Sequence, residues 1–371
     1  MPISVQPYRE EHESAVKAFN QRLRAGTSDP NLVFYERSHP SWLPRQEGSP
    51  MYNKYFVALD EGVVRGAYAL KYEQFFVAGQ GEYTVACYHH PLSEGIVNRN
   101  YFAVGSRLLR DAIWREPMLY ALGMGGFDRP LPKMLKLMGW NLTPVPFYFR
   151  IVHPYRFLRQ MTFLRDSPWR RWLMDFAAFS GTGWAALTAL QNARQLTARR
   201  MTRFETWQVD EFPVWADTLW LETKDTYQLA SVRNHQTITR LYPSSDKHLA
   251  KLCVSRQGKP VGWAVVGERR KDPKYGTLRV GSIVDCWAHS ENALPVILAA
   301  TQQLEQRGVD LIVSNQSHHD WCRALEQCGF FRAESNFVFG TSKKHSALLQ
   351  QREACRFHVT RANGDGLPRN F

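Results

Sequence analysis

The chain has 371 residues, of which 44% are hydrophobic and 22% charged, and its formal net charge is +13. This length is enough for two ordinary domains, and the composition excludes a disordered or collagen-like chain. The six cysteines are scattered without a Cys-x-x-Cys pair, which excludes a zinc-ribbon spacing and a small disulfide framework. The first residues lack the pattern of a secretory signal peptide, which is a basic stretch followed by an apolar run. We therefore expect a cytoplasmic protein.

The first clear pattern is a β-hairpin followed by a strand and a helix. Residues 56–70 alternate around a turn at Gly62, and a strand-like run extends from Glu82 to Tyr88. The stretch from His89 to Arg110 then has the pattern of a turn-rich loop that opens an amphipathic helix. The first backbone N–H groups of a helix lack partners within it, and the helix dipole favours a negative charge there. We therefore expect this loop to hold a pyrophosphate.

A strongly basic segment occupies residues 156–203. It carries nine arginines against two aspartates, a net charge of +7, and it contains an apolar run from Trp172 to Leu190. The Ser-Gly-Thr-Gly at 180–183 argues against a continuous membrane-spanning helix. The pattern predicts a helical connector that either packs between two domains or contacts a membrane surface peripherally through residues 165–200. No nucleic-acid module accompanies the arginines, so nucleic acid is not an expected partner.

The regions on either side of this segment share three sequence patterns in the same order. The matching segments are 56–70 with 252–266, 115–123 with 307–315, and 135–140 with 325–330. Their displacements are 196, 192 and 190 residues, and this small drift indicates an internal duplication. Each copy has the pattern helix, hairpin, strand, helix, strand, helix and strand, so the predicted fold class is α/β with mixed (α+β) sheets.

The order of these elements resembles the GNAT acyltransferase superfamily over residues 3–152 and 204–345. The features that carry the resemblance are the Gly-turn hairpins, the corner at His89-His90-Pro91, the helix start at Gly105-Ser106-Arg107, and the helix ends Leu135–Trp140 and Leu325–Phe330. The chain is similar to tandem GNAT proteins, which include FemAB-like aminoacyl transferases and polysaccharide-associated members. The resemblance implies two GNAT-like domains in tandem, 1–155 and 204–345, joined by the Arg/Trp-rich helical connector 156–203 and followed by a tail, 346–371.

In the first copy, the resemblance implies a site for acetyl-CoA or another acyl-CoA. The family's cofactor loop has the pattern Gln/Arg-x-x-Gly-x-Gly/Ala, and residues 100–105 stand in its place with a full match only at Gly105. The path into the helix is longer than in the family, and Glu94 places a carboxylate near the expected phosphates, whereas Arg107 could pair with them. The implied cofactor-binding residues are Cys87, Arg99, Asn100, Ala103, Val104, Gly105 and Ser106.

The second copy departs further from the family pattern. Residues 283–295 contain no glycine-rich loop, and Pro295 suits an ordinary helix start. We expect this copy to shape the acceptor pocket and not to bind coenzyme A. Three side chains at its strand end could face the same cleft, namely Asp285, Cys286 and His289. No metal site is assigned, because His318 and Cys322 supply only two convergent ligands.

Chemistry in the resembling family is the attack of an amine on a thioester, which needs a base for the amine and an acid for the departing thiolate. The candidate bases are Glu82 on the strand and His89 at its end, while His90 at the corner is expected to be structural. A leucine replaces the tyrosine acid common in the family, and Tyr88 or Tyr120 is the available substitute. The predicted catalytic residues are Glu82, His89 and Tyr88.

Two classes of function stay open. The first is an acyl-CoA-dependent N-acyltransferase acting on a small-molecule amine, such as an amino sugar or a surface-polysaccharide intermediate, in the cytoplasm or at the inner membrane face. The second is a non-catalytic membrane-surface binding protein or a FemAB-like transferase that uses aminoacyl-tRNA. The loop of the first copy and the Arg/Trp connector motivate the first class, which we take as the leading one. The incomplete cofactor loop, the missing tyrosine and the +7 connector motivate the second.

Overall fold

The fold is described from a computed structural model of the chain, for residues 3–27, 29, 32–160, 189, 191, 193–198, 202–269 and 278–364. The predicted connector, 156–203, falls mostly outside the described residues, and so does the predicted membrane contact through 165–200. Among the residues described, no helix is both long enough and apolar enough to cross a membrane.

The chain forms two compact units that are interleaved along the sequence. The first unit comprises Met1–Pro144 and Asn336–Gln351, and the second comprises Val145–Ser335 and Arg352–Phe371. The chain therefore passes from one unit to the other three times. The predicted domain boundaries follow chain order and stay a prediction.

The helices and strands are numbered here in chain order. Up to Pro144 they are β1 (Ser4–Pro7), α1 (Glu13–Gly26), β2 (Tyr52–Asp60), β3 (Val63–Val77), β4 (Gly81–Ser93), α2 (Val104–Arg115), β5 (Leu119–Gly123), α3 (Pro130–Leu137) and β6 (Asn141–Pro144). From Val145 to Ser335 they are β7 (Phe147–Ile151), α4 (Pro154–Gln160), β8 (Glu205–Val209), α5 (Trp215–Thr223), β9 (Leu229–Ser231), α6 (His235–Leu241), β10 (Leu249–Arg256), β11 (Lys259–Arg269), β12 (Val280–Ala288), α7 (Ala293–Gln306), β13 (Leu311–Asn315), α8 (His319–Gln327) and β14 (Phe331–Ala333). The last part adds β15 (Val338–Thr341), α9 (Lys343–Leu348) and β16 (Phe357–His358).

Each unit contains a mixed sheet with the same strand plan. The first unit has the order β1-β2-β3-β4-β5-β15-β6, and the second has β8-β10-β11-β12-β13-β7-β14. In each order the fourth and fifth strands, β4 with β5 and β12 with β13, are parallel, whereas the other neighbours are antiparallel. The predicted class, α/β with two similar domains in tandem, is confirmed.

The two copies exchange their last strands. β7, the last strand of the first copy, lies between β13 and β14, and β15, the last strand of the second copy, lies between β5 and β6. Only Val145 and Pro146 separate β6 from β7, and a two-residue hairpin turn needs residues that accept positive φ. Pro144 and Pro146 fix φ near −65° and lack an N–H. The chain therefore runs on extended into the second sheet and does not turn back.

Helices cover both faces of the first sheet. On one face α1 buries Val16, Phe19 and Leu23, a stripe with helical spacing, and on the other α2 buries Leu108 and Leu109. Successive residues of β3 alternate between these two clusters, as the pleat requires. Complete burial of such a side chain contributes about 1.5–3 kcal/mol. The α2 stripe therefore fixes the start of that helix close to the end of β4.

Candidate functional site

The parallel strands β4 and β5 diverge inside the first sheet. Their pairing is limited to Ala86↔Leu119 and Cys87↔Tyr120, and β4 runs on to Ser93. Beyond the last pair, the facing edges of the two strands carry backbone N–H and C=O groups that do not pair with each other. A gap of this kind at the carboxyl ends of parallel strands is a common place for a ligand.

A β-bulge lies where β4 leaves β5. Ala67 and Ala69 of β3 pair with Leu92 and His89, so two residues of β4 face a single residue of β3. One of the two is His90, which has a φ of +50° and whose ring Nε2 donates to a backbone carbonyl at 2.7 Å. The expectation that the chain from His89 onward is a loop is therefore wrong up to Ser93, because this stretch continues the strand through the bulge.

Helix α2 begins with small residues and without a side-chain cap. Its N-cap is Ala103, and Ser106 Oγ donates to the carbonyl of Ala103 at 2.8 Å. The N–H groups of Val104, Gly105 and Ser106 belong to the first turn and have no carbonyl partner inside the helix. A Cβ added to Gly105 would meet no described atom within 4 Å. Four of the predicted cofactor-binding residues thus lie together at a helix start that attracts anions.

Exposed cations lie on both sides of this helix start. Arg99 lies in the preceding 3₁₀ turn and Arg107 closes the first turn of α2. Both are exposed, and neither forms an ion pair within the described part of the chain. The side chain of Asn98 caps the 3₁₀ turn by accepting from the Asn100 amide at 3.1 Å, and Asn100 itself is exposed. Unpaired guanidinium groups beside free amides favour a phosphate.

Glu94, expected near the phosphates, points inward. Its carboxylate is 4% exposed and accepts from Arg22 Nε and from Arg65 Nη1 at 3.0 and 3.1 Å. The Arg65 guanidinium also lies 4.2 Å from the ring centroid of Tyr101. Two arginines therefore neutralise this carboxylate and fasten the loop to α1 and β3. Glu94 does not weaken the anion site.

The predicted catalytic residues lie at different places along β4. Glu82 is exposed near the start of the strand and lies seven positions before His89, roughly 23 Å in an extended chain. Tyr88 is buried in the core beneath α2, and its hydroxyl has no hydrogen-bond partner among the described residues. Burial raises the pKa of Tyr88 well above its usual value. The structure brings Tyr88 and His89 to the divergent part of β4, and Glu82 lies away from them.

His89 is buried, and neither of its ring nitrogens has a partner within the described chain. Burial, and next the charges of His90 and Lys71, hold its pKa well below 6.5. The imidazole is therefore neutral at pH 7. A neutral imidazole has one free lone pair and one N–H, so it can either accept or donate a proton. The catalytic roles of Glu82, His89 and Tyr88 stay predictions.

A buried polar network that the sequence analysis missed lies on the same sheet face as His89. Lys71 Nζ lies 2.9 Å from Glu73 Oε1, and the Tyr120 hydroxyl donates to the same oxygen. Cys87, predicted to bind the cofactor, is hydrogen-bonded to Tyr120. Burial raises the pKa of Tyr120 well above its usual value, so its hydroxyl keeps its proton. The sequence did contain a signal for this network. Lys71 and Glu73 are charged residues two positions apart in an otherwise apolar strand, and this spacing places both on one face of the sheet.

The equivalent strands of the second unit, β12 and β13, diverge after Ile283↔Ser314. Just past that pair, Asp285 is fully buried. Its donors among the described residues are Arg233 Nε and the Tyr242 hydroxyl at 2.7 Å, the Thr360 hydroxyl at 2.9 Å and the Cys286 amide at 3.1 Å. A carboxylate that accepts from this many donors has little capacity left for a ligand. Asp285 is therefore a structural residue of this unit.

The other candidate side chains of the second copy also have local partners. The Cys286 thiol accepts from Gln316 Nε2 at 3.2 Å, and burial raises its pKa well above the usual value, so it is a thiol and a poor nucleophile. The His289 ring accepts from the Glu291 amide at 3.4 Å. The third residue of α7 is Pro295, which removes one first-turn N–H. The start of α7 therefore offers an anion less than the start of α2 does.

Two further features of the second unit bear on ligand binding. His318, His319 and Asp320 offer ligand atoms within 4.8 Å of one another, but His318 Nδ1 already accepts from the Asp320 amide at 3.3 Å. A groove of about 530 Å³ lies beside the C-terminal half of α7, away from the strand ends. Its lining residues are Thr202, Arg203, Phe204, Thr206, Ala299, Gln302, Gln303 and Gln306. Neither feature involves the divergent strands.

The mixed sheet, the parallel pair that diverges at a bulge, and the helix that starts after it define the GCN5-related N-acetyltransferase (GNAT) fold, present here in two tandem copies. No protein-family model matches the chain, and no curated protein matches it either. The likeness is therefore one of structure.

Three solved structures illustrate this likeness. N-myristoyltransferase from Saccharomyces cerevisiae with bound myristoyl-CoA has a TM-score of 0.54 and 9% identity, over 92% of this chain and 83% of that chain. A conserved protein from Enterococcus faecalis, described as a probable N-acyltransferase, has a TM-score of 0.51 and 10% identity, over 95% and 75%. A GCN5-related N-acetyltransferase from Anabaena variabilis has a TM-score of 0.50 and 10% identity, over 91% and 72%. Similarity at this level of identity establishes the fold, whereas the FemAB-like and polysaccharide-associated resemblances stay predictions.

Proposed function

We propose that this protein is an acyl-CoA-dependent N-acyltransferase that transfers an acyl group to an amine. The observation that carries the proposal is the start of α2, where uncapped amides face the open space beside Gly105 next to two exposed arginines. This helix start follows the strand that diverges from its parallel neighbour in a GNAT fold. Amides, dipole and guanidinium groups together suit a diphosphate. The bound myristoyl-CoA of the yeast structure supports an acyl-CoA as the cosubstrate.

The first-turn amides of Val104, Gly105 and Ser106 would hold the pyrophosphate, with Arg99 and Arg107 paired to phosphate oxygens. The gap between β4 and β5 would take the arm that carries the thioester. Acetyl-CoA and longer acyl-CoA species share this diphosphate. The cradle formed by these amides and the two arginines would therefore bind any of them, and the gap between β4 and β5 would determine which acyl group is accepted.

The proposed reaction joins the amine nitrogen to the thioester carbonyl carbon and breaks the bond from that carbon to sulfur. The amine loses one proton and the departing thiolate takes one up. We assign proton acceptance to His89, which is neutral and has no hydrogen-bond partner for either ring nitrogen within the described residues. Tyr88, which faces the opposite side of β4 from His89, is the proposed donor to the thiolate, because its hydroxyl has no hydrogen-bond partner within the described residues. Glu82, at the far end of β4, is assigned to the acceptor side.

The proposed acceptor is a small-molecule amine, and an amino sugar or a surface-polysaccharide intermediate is the candidate class. The net charge of +7 in residues 156–203 supports delivery of such an acceptor at the inner face of a membrane, where anionic headgroups attract arginine. Contact through residues 165–200 would place the enzyme in the cytoplasm and peripheral to that surface.

Calorimetric titration of the full chain with acetyl-CoA and with myristoyl-CoA tests the proposal. Saturable binding is expected, and Arg107→Gln should weaken it about tenfold by removing a charge-assisted hydrogen bond. The matched control is Arg323→Gln, since Arg323 is an exposed arginine in the middle of α8 of the second unit. Absence of binding by any acyl-CoA, or equal weakening by both substitutions, would exclude the proposed site.

The same samples distinguish the other functional class. A FemAB-like transferase would bind tRNA tightly, with an affinity that falls steeply as salt rises. A membrane-surface binding protein would float with anionic vesicles. Either result together with a negative acyl-CoA titration would replace the acyltransferase proposal.

A further inference from the structure

The gap at the end of β12 and β13 in the second unit is occupied by residues 357–363 of the same unit. Gln316, directly after β13, forms an isolated antiparallel bridge with Thr360. The hydroxyl of Thr360 donates to Asp285 Oδ1 on β12 at 2.9 Å. Thr360 thus contacts β12 on one side of the gap and the residue that follows β13 on the other.

The neighbours of Thr360 hold the segment in this place. The amide of Ser317 donates to the carbonyl of Val359 at 3.2 Å, and the amide of Val359 donates to Ser317 Oγ at 2.8 Å. The segment also organises itself, because the Thr360 amide donates to Asn363 Oδ1 at 2.9 Å and the Ala362 amide donates to Thr360 Oγ1 at 3.3 Å. All residues from Phe357 to Asn363 are buried.

The first unit differs at the equivalent place. Its parallel pairing ends at Cys87↔Tyr120, and no isolated strand bridge continues from it within the part of the chain that is described. The helix after β4 begins with an open glycine, Gly105, whereas the helix after β12 has Pro295 as its third residue. The first copy therefore keeps an open helix start beside its gap, whereas in the second copy Thr360 lies between Asp285 and Gln316 at the equivalent place.

We propose that residues 357–363 are the permanent ligand of the second copy, and that the chain consequently binds one acyl-CoA molecule. The identification of the gap as a cosubstrate site rests on the proposed function of the first copy. The pantetheine arm of coenzyme A carries amide groups that pair with strand edges, and the backbone of an extended segment offers the same donors and acceptors. In addition, the Thr360 hydroxyl donates a hydrogen bond to the buried carboxylate of Asp285. A thioester has no such donor.

Hydrogen exchange of the full-length chain without ligand tests the occupancy. Amides of residues 357–363 and of the end of β12 should exchange slowly in the wild-type protein. Thr360→Val should speed their exchange about tenfold or more, because it removes the hydrogen bond that Thr360 donates to the buried carboxylate of Asp285. The control is Thr301→Val, a buried threonine of the same unit whose hydroxyl donates only within α7, to the Ile297 carbonyl at 2.7 Å. It should leave exchange of the C-terminal segment unchanged.

Native mass spectrometry with acetyl-CoA gives the stoichiometry. One molecule per chain, with new protection at residues 99–107 and none at 357–363, supports the inference. Two molecules per chain, or an acyl-CoA-dependent change in exchange at 357–363, would overturn it. If no acyl-CoA binds at all, the proposed function fails, and the exchange experiment still decides the occupancy. Fast exchange of residues 357–363 in the wild-type chain would refute the occupancy of the second gap by this segment. Equal effects of Thr360→Val and Thr301→Val would refute it as well.

Discussion

The buried histidines of the first unit differ in how well their rings are hydrogen-bonded. His345 donates from Nδ1 to the Leu119 carbonyl at 3.2 Å, and its Nε2 lies 3.3 Å from the Tyr83 hydroxyl. His89 is equally buried, and neither ring nitrogen has a partner in the described chain. A buried polar group without partners costs about 1–3 kcal/mol. Such a cost at a strand bulge is typical of residues kept for function.

Replacing His89 by leucine should therefore separate stability from activity. His89→Leu is expected to raise the free energy of unfolding by about 1 kcal/mol, because it removes unsatisfied polar atoms. The same change should lower acyl transfer at least about 100-fold if the imidazole accepts the proton. His345→Leu, the matched control, should lower stability by about 1–3 kcal/mol. Urea unfolding and a free-thiol assay measure the two quantities, and loss of stability in both variants would contradict the functional assignment of His89.

At the scale of elements, α2 carries the proposed anion site at some expense of helix stability. Its second residue is Gly105, and glycine is less favourable than alanine in a helix by about 0.5–1 kcal/mol. Since an added Cβ would meet no described atom within 4 Å, packing does not require glycine there. The proposed function gives a reason for glycine at this position, because a ligand would need access to the backbone there.

Gly105→Ala should stabilise the protein by about 0.5–1 kcal/mol and weaken acyl-CoA binding several-fold, since the new methyl group enters the cradle. Gly105→Val should abolish measurable binding by filling the space further. Lys133→Ala, at an exposed position on α3 of the same unit, should leave both quantities unchanged. Thermal unfolding and calorimetry provide the two readouts. Unchanged affinity in Gly105→Val would show that the phosphates do not lie at this helix start.

At the scale of the whole molecule, the exchange of β7 and β15 makes each sheet depend on both copies. Without β15, β6 loses its neighbour in the first sheet, and without β7, β14 loses its neighbour in the second. A sheet that lacks an internal strand exposes unpaired backbone groups and apolar surface.

Chains covering residues 1–160 and 202–371 should therefore fail to fold separately as monomers. When they are produced together, they should copurify and unfold in one cooperative transition. Circular dichroism during heating and size-exclusion chromatography provide the measurements. A cooperative, monomeric transition in either half alone would mean that the exchanged strand is dispensable.

Buried histidines also give the molecule a dependence on pH. Burial lowers the pKa of four of them, to about 4 for His318 and His345 and well below 6.5 for His89 and His358. In the unfolded chain each titrates near 6.5, so below that pH the unfolded state binds protons that the folded state does not. Stability is therefore complete above pH 6.5 and is lost as the pH falls toward 4.

The expected loss is about 1.4 kcal/mol per pH unit for each of His318 and His345, or roughly 4 kcal/mol for the pair between pH 6.5 and 5. Urea unfolding at pH 7.5, 6 and 5 measures it. His345→Gln should reduce the dependence of the free energy of unfolding on pH by the contribution of one histidine. A substitution at exposed His39 should leave this dependence unchanged. Equal free energies of unfolding at pH 7.5 and 5 would contradict this account.

The sequence by itself determined the features that depend on near neighbours along the chain. The hairpin turn at Gly62, the amphipathic helix α2 and the duplication could all be predicted, because turn chemistry and hydrophobic periodicity are local. The small residues at the start of α2 likewise predicted an anion site. The end of β4 was missed, since the bulge at His90 depends on register against β3.

Only the tertiary structure decided which distant residues meet. Glu94 is neutralised by Arg22, 72 positions away, and Asp285 is held by Thr360, 75 positions away. The exchange of β7 and β15 and the occupation of the second gap follow from the same kind of pairing. Such contacts cost loop-closure entropy that no local pattern records, and they form because burial and hydrogen bonding across the assembled sheets offset it. They decide which buried groups of each copy are paired.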